Sequence, residues 1–524
     1  MKAEGFDIDI LIRRGDLHQA MSGDLVDVEL IRPERSGKRQ EGIITRILQH
    51  AQEEVIGRVQ KHEGFAFVVP DNRQFSRDIF LNEKESRHLA DGDRVLVRIT
   101  DWGEGLKNPQ GRVVEGLQDQ DPQDIAMKDI LLRAGFHLEF PEAVLAETQL
   151  LDDQMQEDEI CQRKDLRTLL CFTIDPKDAK DFDDALSYRV LENGWVEVGV
   201  HIADVTHYVA EGSATDQEAY QRATSVYLPD RVLPMLPEKL SNEICSLRPQ
   251  EDKLTFSVLF HLDKEARVHN SWIGKTIIHS KRRYTYEDVQ AVIEGGPDPN
   301  RDVLMTLHHL AQHIRKEKFA LGAINFSSEE IRFQWESKSQ PSDIIIKESL
   351  ESHQLIEEFM LLANKTVSEF VDKQRIGKAP VPFPYRVHDI PDVEKLKPFV
   401  AFASRFGHRF DLSTPLTIAR SFNKMIARSE HKADQAFLHA LGIRTMAKAV
   451  YTTENIGHYG LQFPYYSHFT SPIRRYPDML AHRILLSCLQ EQPKNRKDLE
   501  TQCQHCSERE RKAMEAERDG IRYY

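Results

Sequence analysis

The chain has 524 residues, of which 40% are hydrophobic and 29% charged, and its formal net charge is −14. This length and balance are typical of several globular domains and exclude a disordered chain. The sequence shows neither a secretory signal nor the roughly 18 uncharged apolar residues of a membrane helix, so we expect no membrane partner. Six cysteines in so long a chain do not make a disulfide framework, which predicts a reducing, cytoplasmic location.

The first 116 residues predict short β-strands separated by Gly, Asp and Pro, such as "GFAFVVP" (64–70). The stretch "DIDILIRRGDLHQAMSGDLVDVEL" (7–30) is echoed by "DIFLNEKESRHLADGDRVLVRI" (78–99), which indicates two copies of one small barrel. We therefore expect an incomplete first barrel over residues 1–45 and a second barrel over residues 46–116.

Three phenylalanines of the second barrel could share one face. Strand alternation puts Phe65 and Phe67 on the same side of their strand, and Phe80 follows on a neighbouring strand. Exposed, they would form a base-stacking platform, as in five-stranded nucleic-acid-binding barrels. Buried, they would be ordinary core. The residues alone leave both interpretations open.

Residues 117–150 predict a polar linker that gives way to a helical segment. Over residues 151–524 alternating strand patterns mix with helical ones, including helices near 352–371 and 497–520. The fold class predicted is thus multidomain α+β, with one large mixed domain after the barrels. Within it, residues 404–483 hold eleven Lys/Arg against five Asp/Glu. A basic stretch inside an acidic chain favours a path for a polyanion.

The stretch "TIDPKDAKDFDDALSY" (173–188) crowds five aspartates together, namely Asp175, Asp178, Asp181, Asp183 and Asp184. Carboxylates this close ionise together only if a cation lies among them. Oxygen ligands without nearby Cys or His favour Mg²⁺ or Mn²⁺ over zinc. Such clusters serve phosphoryl transfer, where metal ions stabilise the attacking and leaving oxygens.

Two other interpretations of this stretch are weaker. A helix–loop–helix calcium site needs Gly at position 6 and Glu at position 12, but counting from Asp175 these positions are Lys180 and Leu186. A solvated acidic loop does not explain why Phe182, Ala185 and Leu186 alternate with the acids. The sequence therefore favours a metal site.

This stretch resembles the signature of the RNB catalytic domain, which bacterial ribonuclease II and ribonuclease R share. Further matches follow in order, among them "VEVGVHIADVTHYV" (196–209), "YRVHDIP" (385–391) and "HFTSPIRRYPDMLAHR" (468–483). The resemblance spans roughly residues 45 to 524. It implies that the upstream barrels are OB-type, cold-shock-like modules and that residues 151–524 form an RNB domain with a C-terminal helix.

The resemblance also assigns roles to individual residues. The metal-holding catalytic set is Asp175, Asp181, Asp183 and Asp184, with Mg²⁺ or alternatively Mn²⁺, and Asp178 lies outside it. Arg474 corresponds to an active-site arginine that grips the phosphate, and Glu517 to a carboxylate near the 3′ terminal nucleotide. The predicted RNA contacts are Tyr227 and Phe326 as a clamp on the terminal bases, the face of Phe65, Phe67 and Phe80, and Arg475, which either supports the structure or faces RNA elsewhere.

The function implied is that of a processive 3′-to-5′ exoribonuclease, which takes single-stranded RNA 3′ ends and releases nucleoside 5′-monophosphates. We expect a monomer, and the sequence does not identify any RNA-decay partners. The family's S1-type barrel has no counterpart and the first barrel looks incomplete, so the sequence reads as truncated at both ends. An inactive RNA-binding regulator and an endoribonuclease remain alternatives, and the ribonuclease R and ribonuclease II types are not distinguished.

Three other features are assigned structural roles. The pair Cys503 and Cys506 lacks a second pair, which argues against zinc. His201 and Asp204 are predicted to form a structural pair at a strand end. Glu357 and Glu358 are predicted to lie on the solvent side of their helix.

Overall fold

The computed structural model describes residues 9–31, 40–72, 75–103, 107–326, 330–337, 340–347, 349–430, 432 and 434–524. Its strands are β1 Leu11–Ile12, β2 Leu25–Leu30, β3 Glu41–Gln49, β4 Glu54–His62, β5 Phe65–Pro70, β6 Ile79–Leu81, β7 Arg94–Asp101, β8 Gln110–Gly116, β9 Lys164–Asp165, β10 Leu170–Asp175, β11 Asp184–Val190, β12 Val196–Ala203, β13 Val226–Tyr227, β14 Val232–Leu233, β15 Asp252–Leu262, β16 Val268–His279, β17 Arg282–Thr285, β18 Glu330–Ser337, β19 Gln340–Lys347, β20 Arg375–Ile376, β21 Ala379–Pro380, β22 Tyr385–Val387 and β23 Val450–Thr452.

The helices are α1 Glu83–Ser86, α2 Pro122–Arg133, α3 Glu142–Gln149, α4 Glu157–Gln162, α5 Val205–Tyr208, α6 Ala214–Arg222, α7 Tyr286–Ile293, α8 Arg301–Ala320, α9 Glu351–Asp372, α10 Val393–Ser404, α11 Pro415–Ser429, α12 Gln435–Thr445, α13 Tyr476–Leu489 and α14 Leu499–Tyr523, with a π-helical turn at Lys239–Ile244. None of the helices in the described part of the chain has the length and apolar character needed to cross a bilayer.

The N-terminal region contains two separate β-structures. A three-stranded sheet has the order β1-β3-β2, and β4 to β8 form a closed five-stranded barrel in the order β4-β5-β6-β8-β7. The predicted boundary between residues 45 and 46 falls inside β3, which runs to Gln49, so the break between the two structures lies at residues 50–53 instead. Hydrophobic residues of alternate positions, such as Ala66 and Val68, fill the barrel.

The predicted linker over 117–150 contains a helix that joins the barrel to the large domain. The Asp121 side chain caps α2 by accepting the Gln123 N–H, and Pro122 occupies the first turn, where it costs no hydrogen bond. One side of α2 packs on the barrel through Ile125 and Leu132. The other side packs through residues such as Met127 against α14. The barrel is therefore attached to the large domain by a buried helix.

The large domain is built on a seven-stranded sheet with the order β17-β10-β11-β12-β15-β16-β9. Neighbouring strands pair antiparallel along the series β10, β11, β12, β15 and β16, while β17 runs parallel to β10. Its central strands β12 and β15 are buried almost throughout, as expected for strands covered on both faces. Helix α14 joins the same core through Leu499, Cys503 and Cys506, so this cysteine pair packs in the core.

Helices α10, α11 and α12 pack around a separate core that includes Phe399 and Phe422. Along α11 the side chains of Arg420, Lys424 and Arg428 recur every fourth residue and are exposed, so they line one face of the helix. The basic stretch predicted over 404–483 thus includes a continuous positive strip on this helix.

The predicted solvent position of Glu358 is wrong. Its side chain is fully buried in α9 and accepts hydrogen bonds from Arg315 at 3.0 Å and Lys318 at 2.6 Å, both on α8. Glu357 is exposed, as expected. Because α9 is covered on more than one side, two adjacent glutamates need not share an environment.

Candidate active site

The aspartate cluster lies where two neighbouring strands of the sheet meet. Asp175 is the last residue of β10 and Asp184 the first residue of β11, which pairs antiparallel with β10. Two hydrogen bonds to residues outside the loop fix it in place. The Phe182 N–H donates to Ser246 Oγ at 3.0 Å, and Arg283 donates to the Lys177 carbonyl at 2.8 Å. The loop is thus fixed, and its acids gather at one end of the sheet.

The apolar residues between the aspartates are buried as the alternation indicated. Phe182, Ala185 and Leu186 all belong to the main core. Asp175 and Asp183 are only 7% and 5% exposed, whereas Asp178 is exposed. The structure therefore separates Asp178 from the four predicted catalytic acids, in line with the sequence prediction.

Burial raises the pKa of all four clustered carboxyls above the ordinary value. Repulsion from Asp184 raises the pKa of Asp175 further, and the Arg474 guanidinium opposes the rise for Asp181, Asp183 and Asp184. Four acids with raised pKa values need an additional positive charge in order to be ionised together at neutral pH.

The donor set fits a hard divalent cation. Asp175 Oδ2 is buried and, among the described residues, has no hydrogen-bond partner, so one carboxylate oxygen is uncommitted. Within the described part of the chain no three His, Cys, Asp or Glu side chains converge into a ready-made cage. Mg²⁺ does not require one, since it is usually held by one or two carboxylates together with waters and substrate phosphates.

The loop "TSPIRRY" brings a positive charge to these acids from 290 residues further along the chain. The Ile473 N–H donates to Asp183 Oδ1 at 2.9 Å, and Arg474 Nε lies 3.7 Å from Asp183 Oδ2. The Arg474 side chain remains partly exposed. Its Nη2 donates to Ser471 Oγ at 3.1 Å. Part of its planar fork is not engaged, and the grip on a phosphate stays a prediction.

The neighbouring Arg475 is engaged by its own loop, which is the supporting one of the two roles left open for it. Its guanidinium makes two hydrogen bonds to Asp478, at 2.9 and 2.8 Å, and Asp478 is fully buried. Asp478 also accepts the Ser471 N–H at 2.7 Å. Arg475 therefore holds the loop in shape, and the prediction that it contacts RNA is not supported by this geometry.

Tyr227 and Glu517 meet beside this loop. The Tyr227 N–H donates to Glu517 Oε1 at 3.0 Å, so α14 returns its carboxylate to the site. The segment before Tyr227 is joined to the loop, because the Ser225 N–H donates to the Arg474 carbonyl at 3.0 Å. The tyrosine is 40% exposed, yet burial raises its pKa to about 12, with Asp181 and Asp183 among the nearby charges. The Tyr227 hydroxyl is therefore near enough to Asp181 and Asp183 for their charges to act on it.

Phe326 lies in different surroundings. Its ring is half-buried and contacts Phe422 with a centroid separation of 5.3 Å and His439 at 6.5 Å, at the edge of the core formed by α10 to α12. None of the ring contacts recorded for the described residues joins it to Tyr227. The two-ring clamp therefore stays a prediction, of which the structure places only the Tyr227 half near the acids.

The three phenylalanines of the barrel form one outward face. Phe65, Phe67 and Phe80 are half-exposed, and their ring centroids lie 5.7 to 5.9 Å apart. His62 stacks on Phe65 at 5.0 Å and extends the group. These rings therefore lie outside the barrel core on a partly exposed face, and base stacking on this face stays a prediction.

His201 and Asp204 are structural, but they do not form the predicted pair. His201 is fully buried between Ser257 and Ser187, with hydrogen-bond distances of 2.6 and 2.8 Å, and burial lowers its pKa to about 3. Asp204 instead binds Arg163 at 2.7 Å and Lys275 at 2.5 Å. Neither side chain is available for proton transfer at the active site.

Sequence reasoning missed the residues that support the site. Asp478 is one, and Asp216 is another, since it accepts a hydrogen bond from Tyr476 at 3.0 Å and forms an ion pair with Arg483 at 2.8 Å. The signal for Asp478 was its position three residues after Arg475 at a helix start, a spacing that lets the two side chains meet.

Two family matches agree with this architecture. Residues 163–491 match the RNB domain and residues 67–141 match the cold shock domain. A cold-shock barrel followed by an RNB domain, with clustered aspartates facing an arginine loop, defines the class of RNB-domain ribonucleases.

Individual relatives narrow this class. The chain is 35% identical to ribonuclease R of Aquifex aeolicus over 98% of this chain and 73% of the relative, and 37% identical to ribonuclease R of Thermotoga maritima over 96% and 72%. A solved structure of Mycoplasma genitalium RNase R with ribose-methylated single-stranded RNA superimposes with a TM-score of 0.85 at 26% identity, covering 98% of this chain and 82% of that one. The chain belongs to the ribonuclease R family.

Proposed function

We propose that this protein is a 3′-to-5′ exoribonuclease that hydrolyses single-stranded RNA processively to nucleoside 5′-monophosphates, with Mg²⁺ or Mn²⁺ as cofactor. The observation that carries the proposal is that Asp175, Asp181, Asp183 and Asp184 lie close enough for their charges to act on one another and on Arg474, which approaches Asp183. The ribonuclease R relatives support the same activity.

The reaction adds water to the last phosphodiester and breaks the bond between phosphorus and the O3′ of the preceding nucleotide. The products are one nucleoside 5′-monophosphate and a shortened RNA with a new 3′ hydroxyl. A divalent cation held by the aspartates would supply Lewis-acid stabilisation of the phosphate oxygens. Arg474 would bind the same phosphate through its open donors, where negative charge increases as the reaction proceeds.

The surrounding residues would position the end of the RNA. The exposed ring of Tyr227 offers a stacking surface to the terminal base, which is tolerant of sequence because every base has a π-face. Glu517 fixes the backbone of Tyr227 by accepting its N–H. Upstream nucleotides would lie on the aromatic platform of the barrel, which is Phe65, Phe67 and Phe80.

Two further proposals concern the protein as a whole. All six cysteines are free, which supports a reducing, cytoplasmic location. We also propose that the chain acts on RNA as a monomer, because the acids, Arg474, Tyr227 and Glu517 of the site all come from one chain.

The activity is tested with a 5′-labelled single-stranded RNA in Mg²⁺. We expect the label to remain on progressively shorter RNA while nucleoside 5′-monophosphates accumulate, and EDTA to stop both. A circular RNA of the same sequence should survive, since it offers no 3′ end. Cleavage of the circle would indicate the endonuclease alternative, and binding without any hydrolysis would indicate the inactive regulator.

Replacing Tyr227 by alanine should change the length of the final undegraded RNA. Loss of one base stack costs about 1–3 kcal/mol, so the shortest RNAs, which depend most on this contact, should dissociate earlier and leave a longer end product. The lengths are read from a denaturing gel at single-nucleotide resolution. Tyr227→Phe keeps the ring and should leave the end product unchanged. An unaltered end product in Tyr227→Ala would contradict the stacking role.

A further inference from the structure

Ser246 contacts the aspartate loop, which is the connection over residues 176–183 between β10 and β11. The serine follows the π-helical turn Lys239–Ile244 and is fully buried. Its neighbours Cys245 and Leu247 both pack in the main core of the large domain. The chain thus presents a single buried hydroxyl to the loop, and the residues on either side of it are anchored by apolar contacts.

The Ser246 hydroxyl makes two hydrogen bonds to the aspartate loop, one on each side of Asp181. Its Oγ accepts the Phe182 N–H at 3.0 Å and donates to the Lys180 carbonyl at 2.8 Å. The Leu247 N–H then donates to the Phe182 carbonyl at 3.0 Å. One side chain therefore holds both peptide groups that flank Asp181, which fixes the direction in which the Asp181 side chain leaves the backbone.

The segment that carries Ser246 is itself held in place. The buried side chain of Lys253 donates to the Glu243 carbonyl at 2.6 Å and to the Ile244 carbonyl at 3.2 Å, at the end of the π-helical turn. Turns of this kind are frequent at functional sites. Because Lys253 and the core packing hold this segment, a movement of the aspartate loop alone would break both hydrogen bonds to Ser246.

Asp181 depends on its backbone more than the other three acids do. Asp175 and Asp184 belong to strands, and Asp183 accepts an N–H from the loop "TSPIRRY". Asp181 is half-buried and lies within the aspartate loop itself. Among the described residues, no side chain of another strand or helix is recorded as a hydrogen-bond partner of its carboxylate. The position of this carboxylate is therefore set by the peptide groups that Ser246 holds.

We infer that Ser246 is a positioning residue, which keeps the Asp181 carboxylate where it can join the other acids around a divalent cation. The inference rests on the proposed function, in which Asp181 is one of the cation-holding acids. Replacing Ser246 by alanine leaves the Phe182 N–H and the Lys180 carbonyl without their partner, and buried polar groups of this kind are costly. Because Lys180 is exposed, the loop can turn these groups toward water, and Asp181 would turn with them.

The first readout is Mn²⁺ binding to the full chain without RNA, followed by the electron paramagnetic resonance signal of free Mn²⁺. The binding that is lost in Asp183→Asn is the part that belongs to the acids. For this part we expect Ser246→Ala to weaken the affinity about tenfold, which corresponds to about 1.4 kcal/mol. The matched control is Ser368→Ala, a fully buried serine of α9 whose hydroxyl donates to the Asn364 carbonyl at 2.8 Å, and it should keep the affinity.

The second readout separates positioning from a general loss of structure. In single-turnover assays Ser246→Ala should need about tenfold more Mg²⁺ for its half-maximal rate, in step with the weaker Mn²⁺ binding. RNA binding in EDTA should stay unchanged, because no cation takes part in it. A serine with a merely structural role would lower the urea midpoint without changing the Mg²⁺ requirement.

Equal Mn²⁺ affinity of Ser246→Ala and the unaltered protein would overturn the inference and leave the proposed function intact. Unchanged Mn²⁺ binding in Asp183→Asn would instead contradict the proposed function, on which the inference depends. If Ser246→Ala does not fold, Ser246→Cys takes its place, since a thiol occupies the position but is a weaker donor and acceptor. Ser246→Cys should weaken Mn²⁺ binding by a smaller factor, and an unchanged affinity would again overturn the inference.

Discussion

Asp183→Asn is expected to bind single-stranded RNA and to release almost no nucleoside monophosphate. The asparagine oxygen can still accept the Ile473 N–H, so the loop "TSPIRRY" keeps its position. What disappears is the negative charge that faces Arg474 and that would help hold the cation. We expect the rate to fall by about 10³-fold, the upper range for removing one electrostatic contact at a reacting centre.

The rate is measured as monophosphate release in single-turnover experiments, and RNA retention by filter binding in EDTA. Asp178→Asn is the matched control, because it removes a carboxylate of the same loop that is exposed and outside the set. It should keep its activity within about twofold, as a surface change away from the reacting atoms does. Equal activity of Asp183→Asn and the unaltered enzyme would refute the role assigned to Asp183.

The local part of this site could be predicted from the sequence, because its residues are close together along the chain. A β-prone run that ends in Asp175 and Pro176 indicates a strand end, and the apolar residues between the acids predict a buried loop. Arg474 and Glu517 were placed through the resemblance to the family. Nothing in the local pattern says that a helix 290 residues later reaches Tyr227.

The errors have a common physical cause, namely partners that are distant in sequence. Glu358 looked like a solvent-facing charge, but α8 supplies Arg315 and Lys318 about 40 residues earlier, and they compensate its buried charge. His201 and Asp204 are three residues apart and yet have different partners, which come from β11, β15, β16 and the connection between α4 and β9. Helical or strand periodicity indicates which side of an element is apolar, but not which charges the opposing element brings.

Aromatic residues show the same limit in two ways. Alternation correctly put Phe65 and Phe67 on one face, but only the closed barrel shows that Ala66 and Val68 fill the interior and that the phenylalanines point outward. Phe326 precedes a strand, and its neighbours Phe422 and His439 come from helices about 100 residues later. Its packing could not be predicted from its own surroundings in the chain.

Asp478→Ala is expected to produce the largest loss of stability. Asp478 is fully buried, accepts two hydrogen bonds from Arg475 and one from the Ser471 N–H, and its removal leaves the Arg475 guanidinium buried without a counter-ion. Breaking a buried ion pair on one side costs about 3–5 kcal/mol. Because Arg386 is close enough to repel Arg475, the uncompensated charge is not easily accommodated.

The loss is measured as the urea midpoint of the full chain, followed by its tryptophan fluorescence, to which Trp272 on the sheet contributes. The urea midpoint of Asp478→Asn should lie between those of the unaltered protein and Asp478→Ala. The asparagine oxygen still accepts the Ser471 N–H, but the negative charge is gone. Asp519→Ala is the control, because the Asp519–Arg522 pair is exposed and such pairs contribute within about 1 kcal/mol. If Asp478→Ala unfolded at the same urea concentration as Asp519→Ala, Arg475 would not depend on Asp478, and its guanidinium would again be a candidate for RNA contact.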